Sequence, residues 1–239
     1  AGIDLTLPRV VCVIEFAESL DDREYQKQNL LFNASELIRN FHLTCPDDIV
    51  GISENYQLLL CHRLVRENLS IKAQCSEFFL ELRNYLAAQL GRQTFIGVGF
   101  AVSNIPEYTH SYSCANLALQ YINAHSDSIS YAIDHLMEII FENTPLELLT
   151  HFFDEDIQRL TENTVLFKTL ESLLMHNFNT SETSNSMFIH RNTLMFRIKQ
   201  LKSILNLDPF HNDNDRYTLH LIYNYYKWKV KLFSNSLET

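Results

Sequence analysis

Strand-like patterning stops at about Asp134, and this change constrains the fold more than any other feature of the chain. Before it, short apolar runs alternate with amphipathic stretches. Arg9–Phe16 (RVVCVIEF) is almost unbroken apolar sequence rich in Val and Ile, which predicts a buried strand. Leu30, Leu31, Ala34, Leu37, Ile38 and Phe41 fall near one stripe and predict a helix over Asp22–Phe41. Pro46-Asp47-Asp48 ends that pattern. Ile49–Ser53 and Tyr56–Cys61 then read as short strands joined in a hairpin at Ser53-Glu54-Asn55-Tyr56. A second amphipathic helix is predicted over Leu69–Leu90, with Gly91 where a C-cap belongs. Thr94–Val102 (TFIGVGFAV) reads as another buried strand, Pro106 opens a helix to about His125, and Ile129–Ile133 is a closing strand. The order of elements predicts an α+β sandwich of the ferredoxin-like kind.

After Asp134 only helical spacing remains, over Leu136–Glu142, Leu146–Phe153, Ile157–His176, Glu182–Phe188, Arg191–Leu205 and Asp215–Phe233. The expected organisation is an α+β domain over residues 1–135 and an all-α domain over 136–239. At 239 residues there is room for both. Hydrophobic residues at 46% supply the cores, and five Gly and five Pro exclude a collagen-like or low-complexity chain. No apolar run approaches the ~20 residues needed to span a bilayer and no leader pattern opens the sequence, so a cytoplasmic protein with no membrane partner is expected. The first residue is Ala1 rather than Met, which suggests a piece of a longer protein.

The charge is distributed unevenly. The chain carries a formal −10, which by itself opposes nucleic-acid binding, because Lys and Arg supply most of the affinity for phosphate. Between Asn179 and Leu207, however, four basic residues (Arg191, Arg197, Lys199, Lys202) face one acid, Glu182. A small basic island on an acidic body suits a local DNA-reading element. The island lies on a predicted helix-turn-helix at about 180–206, with Ile189-His190 as the turn. Leu194, Ile198, Leu201 and Leu205 form one apolar stripe on its longer helix, which puts Asn192, Phe196, Lys199 and Ser203 on the other side. Arg forks onto guanine, Asn onto adenine, and Lys holds phosphate, so this face has the chemistry of major-groove readout. The helix N-terminus is expected to present backbone N–H groups to the DNA backbone as well. On pattern alone, a solvated surface helix stands beside that reading.

The run Phe188-Ile189-His190-Arg191-Asn192-Thr193-Leu194, followed by Phe196-Arg197-Ile198, resembles the C-terminal helix-turn-helix of the sugar diacid utilisation regulators, the CdaR/PucR-type family. Asp215-Arg216 with Leu219 and Leu221 is similar to the helix that follows in that family. Gly2-Ile3-Asp4-Leu5 with Pro8-Arg9-Val10-Val11 looks like the start of its GGDEF-like domain. The sequence departs from the family pattern at Phe196 (usually Tyr), at Asn206 (usually Gly) and at Ser186, a tolerable swap for the small residue common there. The loss of the Tyr hydroxyl puts phosphate anchoring at position 196 in doubt. The resemblance implies a degenerate GGDEF-like domain followed by a DNA-binding domain, in a transcriptional activator of genes for glucarate, galactarate or glycerate use. It also implies a diacid-sensing domain outside this chain. The DNA-contacting residues expected on this reading are His190, Arg191, Asn192, Thr193, Phe196, Arg197, Lys199 and Lys202. Arg191 and Asn192 would read bases, Thr193 and Lys199 would hold phosphate, and Arg197 would anchor phosphate or another domain. The expected partners are double-stranded operator DNA, a second copy of the chain and RNA polymerase. Tyr108, Tyr112 and Tyr121 offer surface for a homodimer, or else core.

No catalytic residues, metal or cofactor are expected. The hairpin Ser53-Glu54-Asn55-Tyr56 stands where diguanylate cyclases carry Gly-Gly-Asp/Glu-Glu-Phe, and it lacks the glycines that admit phosphate. Gly97-Val98-Gly99 lies within a strand and suits close backbone packing better than phosphate binding. The five cysteines form no CxxC pair and read as reduced thiols. None of the ten His falls into a metal-ligand spacing; His62 and His135 read as surface or satisfied core residues. Glu15 with Glu18, and Asp154-Glu155-Asp156, read as solvated acids, the latter in a loop. The rival reading is a GGDEF-derived module that binds nucleotide or protein and does not bind DNA.

Overall fold

The computed structural model describes residues 3–18, 24–65, 69–122 and 128–235, and the chain divides into two compact units, 1–139 and 140–239. The first unit contains β1 (Arg9–Phe16), α1 (Glu24–Arg39), β2 (Ile49–Ile52), β3 (Leu58–Arg63), α2 (Ile71–Leu90), β4 (Thr94–Val102), α3 (Ile105–Gln120) and β5 (Ile129–Tyr131). Its sheet runs β2-β3-β1-β4-β5; every pairing is antiparallel except β4–β5, which is parallel. The first four strands with α1 and α2 make the ferredoxin-like arrangement, and α3 carries the chain across to the fifth.

Helices cover both faces of the sheet. Val10, Cys12 and Ile14 of β1 pack with Leu31, Ala34 and Ile38 of α1 and Phe79, Leu82 and Leu86 of α2. The alternate residues Val11 and Val13, also buried, point to the opposite face, where α3 lies against β1 and β4. A strand buried on both sides needs apolar residues at every position, which explains the unbroken run in β1.

Glycine allows α3 to approach closely. A Cβ on Gly97 would sit 2.1 Å from the Ala115 carbonyl oxygen, and one on Gly99 would sit 2.3 Å from that of Ser111. The Ser111 hydroxyl accepts the Phe100 N–H at 3.0 Å and donates to the Phe100 carbonyl at 2.8 Å, tying the helix to the strand. The glycine pair therefore serves packing.

The β2–β3 hairpin closes through Ser53 N–H to the Gln57 carbonyl (2.9 Å), with Tyr56 in the left-handed region at φ 55°. Gln57 donates to Glu15 (3.0 Å) and Asn116 (2.8 Å) and accepts from the Tyr112 hydroxyl. These bonds tie the strand after the hairpin to β1 and α3. Tyr108 accepts from Arg9, and Tyr121 stacks on His135. All three tyrosines are half-buried and make contacts within the unit. His62 is a satisfied core residue: its Nδ1 lies 2.9 Å from the buried Asp48 carboxylate and its ring stacks on Phe78 at 3.8 Å. The five cysteines are free, and burial raises every thiol, Cys61 to about 11.

A 3-10 turn (Ala132–His135) and α4 (Leu136–Glu142) follow β5, which is shorter than the predicted Ile129–Ile133. The second unit then contains α5 (Leu146–Thr161), α6 (Thr164–Met175), α7 (Thr180–Ser186), α8 (Arg191–Leu205) and α9 (Asp213–Asn235). Two expectations are corrected here. Asp154, Glu155 and Asp156 lie inside α5, where Asp154 receives Lys229 at 2.6 Å and the Tyr225 hydroxyl at 3.2 Å from α9. The predicted helix Ile157–His176 is two helices, because Asn163 leaves helical geometry and its side chain caps the Leu166 N–H at 3.1 Å. The predicted first residues of α1 and the stretch through His125 lie outside the described residues.

Candidate nucleic-acid interface

Three consecutive helices, α6, α7 and α8, build the site. Asn177 and Phe178, at φ 49° and 62°, turn the chain from α6 into α7. Asn179 then caps α7: its side-chain oxygen accepts from Ser181 N–H (3.1 Å) and Glu182 N–H (3.3 Å), and its amide donates to Glu182 (2.8 Å). Asn179 is thus the N-cap of α7, and its amide also holds the Glu182 side chain in the first turn. The Ser172 and Ser186 hydroxyls, 3.0 Å apart, bond α6 to α7, which accounts for a small polar residue at 186. α7 therefore begins two residues before the predicted start and ends at Ser186.

Between α7 and α8 the chain turns at Phe188, at φ 54°. Phe188 N–H donates to Asn185 O and Ile189 N–H to Ser184 O, at 3.1 and 3.0 Å. His190 is the N-cap of α8; its Nδ1 accepts the Asn192 N–H at 3.2 Å, which puts any ring proton of the neutral side chain on Nε2. The His190 carbonyl also accepts from Thr193 (2.9 Å) and Leu194 (3.1 Å). The Asn192 and Thr193 N–H groups of the first turn are thus bonded to His190, and Leu194 N–H makes the first regular bond of the helix. At the far end Asn206 takes the left-handed cap at φ 55°, as the family glycine would.

α8 spans Arg191–Leu205 as predicted, and its apolar stripe is buried: Leu194 at 0%, Ile198 at 3%, Leu201 and Leu205 at 6%. The stripe packs on Leu166, Leu170 and Leu173 of α6 and Leu219 and Ile222 of α9. Arg191, Asn192, Thr193, Met195, Phe196, Lys199 and Ser203 are exposed, and α8 contains no acidic residue. The predicted site residues divide into two groups. Arg191, Asn192, Thr193, Phe196 and Lys199 share the open surface of one helix. Lys202, half-buried, is paired with Asp208 at 2.6 Å and lies over the Phe210 ring. Arg197, also half-buried, leans on Thr169 of α6 at 3.5 Å. His190 positions the helix through its cap.

Phe188, which the sequence pattern places at the end of a helix over Glu182–Phe188, instead lies in the turn after α7, 95% exposed at φ 54°. The loop before α9 has its own lock: Asp215 accepts the Asp208 N–H at 2.7 Å, while Arg216 donates to the Pro209 carbonyl at 3.1 Å and lies over the Phe178 ring. This explains an Asp-Arg pair at the start of α9.

A capped short helix, a tight turn and a longer helix with one packed stripe and a basic outward face define a helix-turn-helix DNA-binding regulator. Comparison with known proteins places it more narrowly. Residues 1–121 match the GGDEF-like domain, and residues 166–224 match the PucR C-terminal helix-turn-helix domain. The chain belongs to the PucR-type regulators. It is 28% identical over 155 residues to the proline-responsive transcriptional activator PutR of Bacillus subtilis, covering 58% of this chain and 36% of PutR. An uncharacterised protein of Haemophilus influenzae is 27% identical over 155 residues, 59% of this chain and 40% of its own length. The purine catabolism regulatory protein of B. subtilis is 22% identical over 139 residues, 56% of this chain and 26% of its own length. The matches thus span well under half of each curated relative. A crystal structure of a regulator of polyketide synthase expression from Bifidobacterium adolescentis covers 91% of this chain and 84% of its own, at 14% identity and a TM-score of 0.33, too low to carry an argument. Among the described residues no helix is long and apolar enough to cross a membrane, and no cluster of His, Cys, Asp or Glu has the form of a metal site.

Proposed function

We propose that α8 enters the major groove of operator DNA, with Arg191 and Asn192 reading base edges and Thr193 and Lys199 contacting phosphate. The supporting observation is the division of α8 itself: a stripe buried to 6% or less opposes a surface with basic and amide side chains and no acid. Lys202 and Arg197, held by Asp208 and Thr169, take a lesser part in this reading. The acidic remainder of the protein repels DNA elsewhere and limits contact to this helix.

The chain acts in this proposal as a homodimer on paired half-sites and activates catabolic genes through RNA polymerase in the cytoplasm. The family resemblance suggests a sugar diacid inducer sensed by a segment outside this chain. PutR is named for proline and another relative for purine catabolism, so the inducer assay includes all three classes. A reporter under the adjacent promoter should respond to glucarate, galactarate or glycerate; a response to proline or purine alone rejects the diacid. Sedimentation with and without duplex tests the dimer.

DNA reading is tested by gel-shift titration against the region upstream of the protein's own operon. Arg191→Ala and Asn192→Ala should each reduce specific affinity by about 1–3 kcal/mol. Equal binding by wild type and both variants at two salt concentrations would show that α8 is not the reader.

A further inference from the structure

Phe196 has no packing role that accounts for it. It is 62% exposed, although the stripe of Leu194, Ile198, Leu201 and Leu205 completes the buried face of α8 without it. Among the described residues its ring meets no other aromatic ring, whereas Phe167, Phe178 and Phe210 of the same unit all do. It also lies on the middle of the outward face. At ~100° per residue, Asn192 and Phe196 are ~40° apart around the axis and ~6 Å apart along it, with Lys199 and Ser203 continuing the same line. A lone exposed apolar residue needs no explanation. A phenyl group set between an amide and an ammonium on a reading face has a more particular meaning, because the major groove offers one apolar feature, the C5-methyl group of thymine.

We propose that Phe196 is a specificity-determining residue that packs on a thymine methyl one or two base pairs from the adenine taken by Asn192. The inference rests on the reading of α8 as the groove helix and deepens it. Asn192 and Phe196 together select a short A·T element, while Lys199 adds affinity without sequence preference. A phenyl ring has no hydrogen-bonding group, so its recognition chemistry is apolar contact.

The test uses duplexes recovered by the wild-type chain from a random pool. Each thymine is replaced in turn by deoxyuridine, which deletes the methyl group and keeps every hydrogen-bonding edge. Wild type should lose roughly three- to five-fold in affinity at one or two positions, about the value of one buried methyl. Phe196→Ala should bind the thymine and deoxyuridine duplexes equally at those positions, and Phe196→Leu should retain part of the discrimination. Lys199→Ala should lose affinity for both duplexes equally. If wild type binds its selected duplex and ignores every deoxyuridine substitution, the thymine contact is wrong and the groove reading stands. If Phe196→Ala keeps the wild-type discrimination, or changes only the oligomeric state, the proposal is overturned. Failure of the pool to yield any specific duplex overturns the groove reading together with it.

Discussion

Gly97→Ala tests how closely the sheet and its third helix are packed. The added Cβ would lie 2.1 Å from the Ala115 carbonyl oxygen and 2.6 Å from Leu119 Cγ. Leu119 can rotate away, but the carbonyl belongs to the backbone of α3 and cannot. Restoring an ordinary carbon–oxygen contact requires the helix to retreat by about 1 Å, a gap that forfeits roughly a quarter to a half of each dispersion contact it opens. Ser111, Ala115 and Ala118, all fully buried, line the surface that would open. The Ser111 hydroxyl would also be drawn away from Phe100, weakening two hydrogen bonds worth about 1 kcal/mol each. Overpacking of this kind costs about 1–3 kcal/mol, and the Ser111 bonds place Gly97→Ala near the upper end. Gly51→Ala is the control: nothing lies within 4 Å of a Cβ there, and the residue is in strand β2, so the change should be neutral or stabilise by up to ~1 kcal/mol. Urea unfolding followed by far-ultraviolet circular dichroism measures both. A loss below about 0.5 kcal/mol for Gly97→Ala, or equal effects for the two substitutions, would refute the argument from close approach.

Phe188→Gly should stabilise the second unit by about 1 kcal/mol, since it relieves a left-handed non-glycine residue whose side chain buries almost nothing; thermal melting checks this, and a loss of stability contradicts it. Asp208 should contribute to acid stability. The Lys202 ammonium bonded to it at 2.6 Å, with the Phe210 N–H, holds its carboxyl down to about 2, below the ~3.9 of an unfolded chain. The contribution is therefore complete above about pH 4 and lost as pH falls toward about 2, so the melting temperatures of wild type and Asp208→Asn should converge over that window. Lys199→Ala should weaken DNA binding uniformly across sequences and reduce the slope of log affinity against log salt by about one, read from titrations at several salt concentrations.

Much of this architecture is legible in the residues because it depends on local pattern. The unbroken Val and Ile of β1, the Gly at position 91 with φ 65°, and the four-residue stripe of α8 all carry their own signal. Where a tertiary partner decides, the pattern misleads. Asp154, Glu155 and Asp156 look like a solvated loop, yet α5 runs through them and Asp154 is paired with Lys229 and Tyr225 on a helix some seventy residues away. Asn163 divides a stretch whose apolar spacing is continuous, because a side-chain cap outweighs periodicity at that point.

The sequence alone therefore determined the two-part plan and which side of α8 is packed, since each depends on spacing along one segment. Only the tertiary structure decided how the basic residues are used. Lys199 and Arg191 stay exposed, while Lys202 is drawn to Asp208 beyond the end of the helix and Arg197 to Thr169 on another helix. A charge read from sequence has no position until its neighbours are fixed, and at short range the nearest oxygen determines whether that charge remains available to DNA.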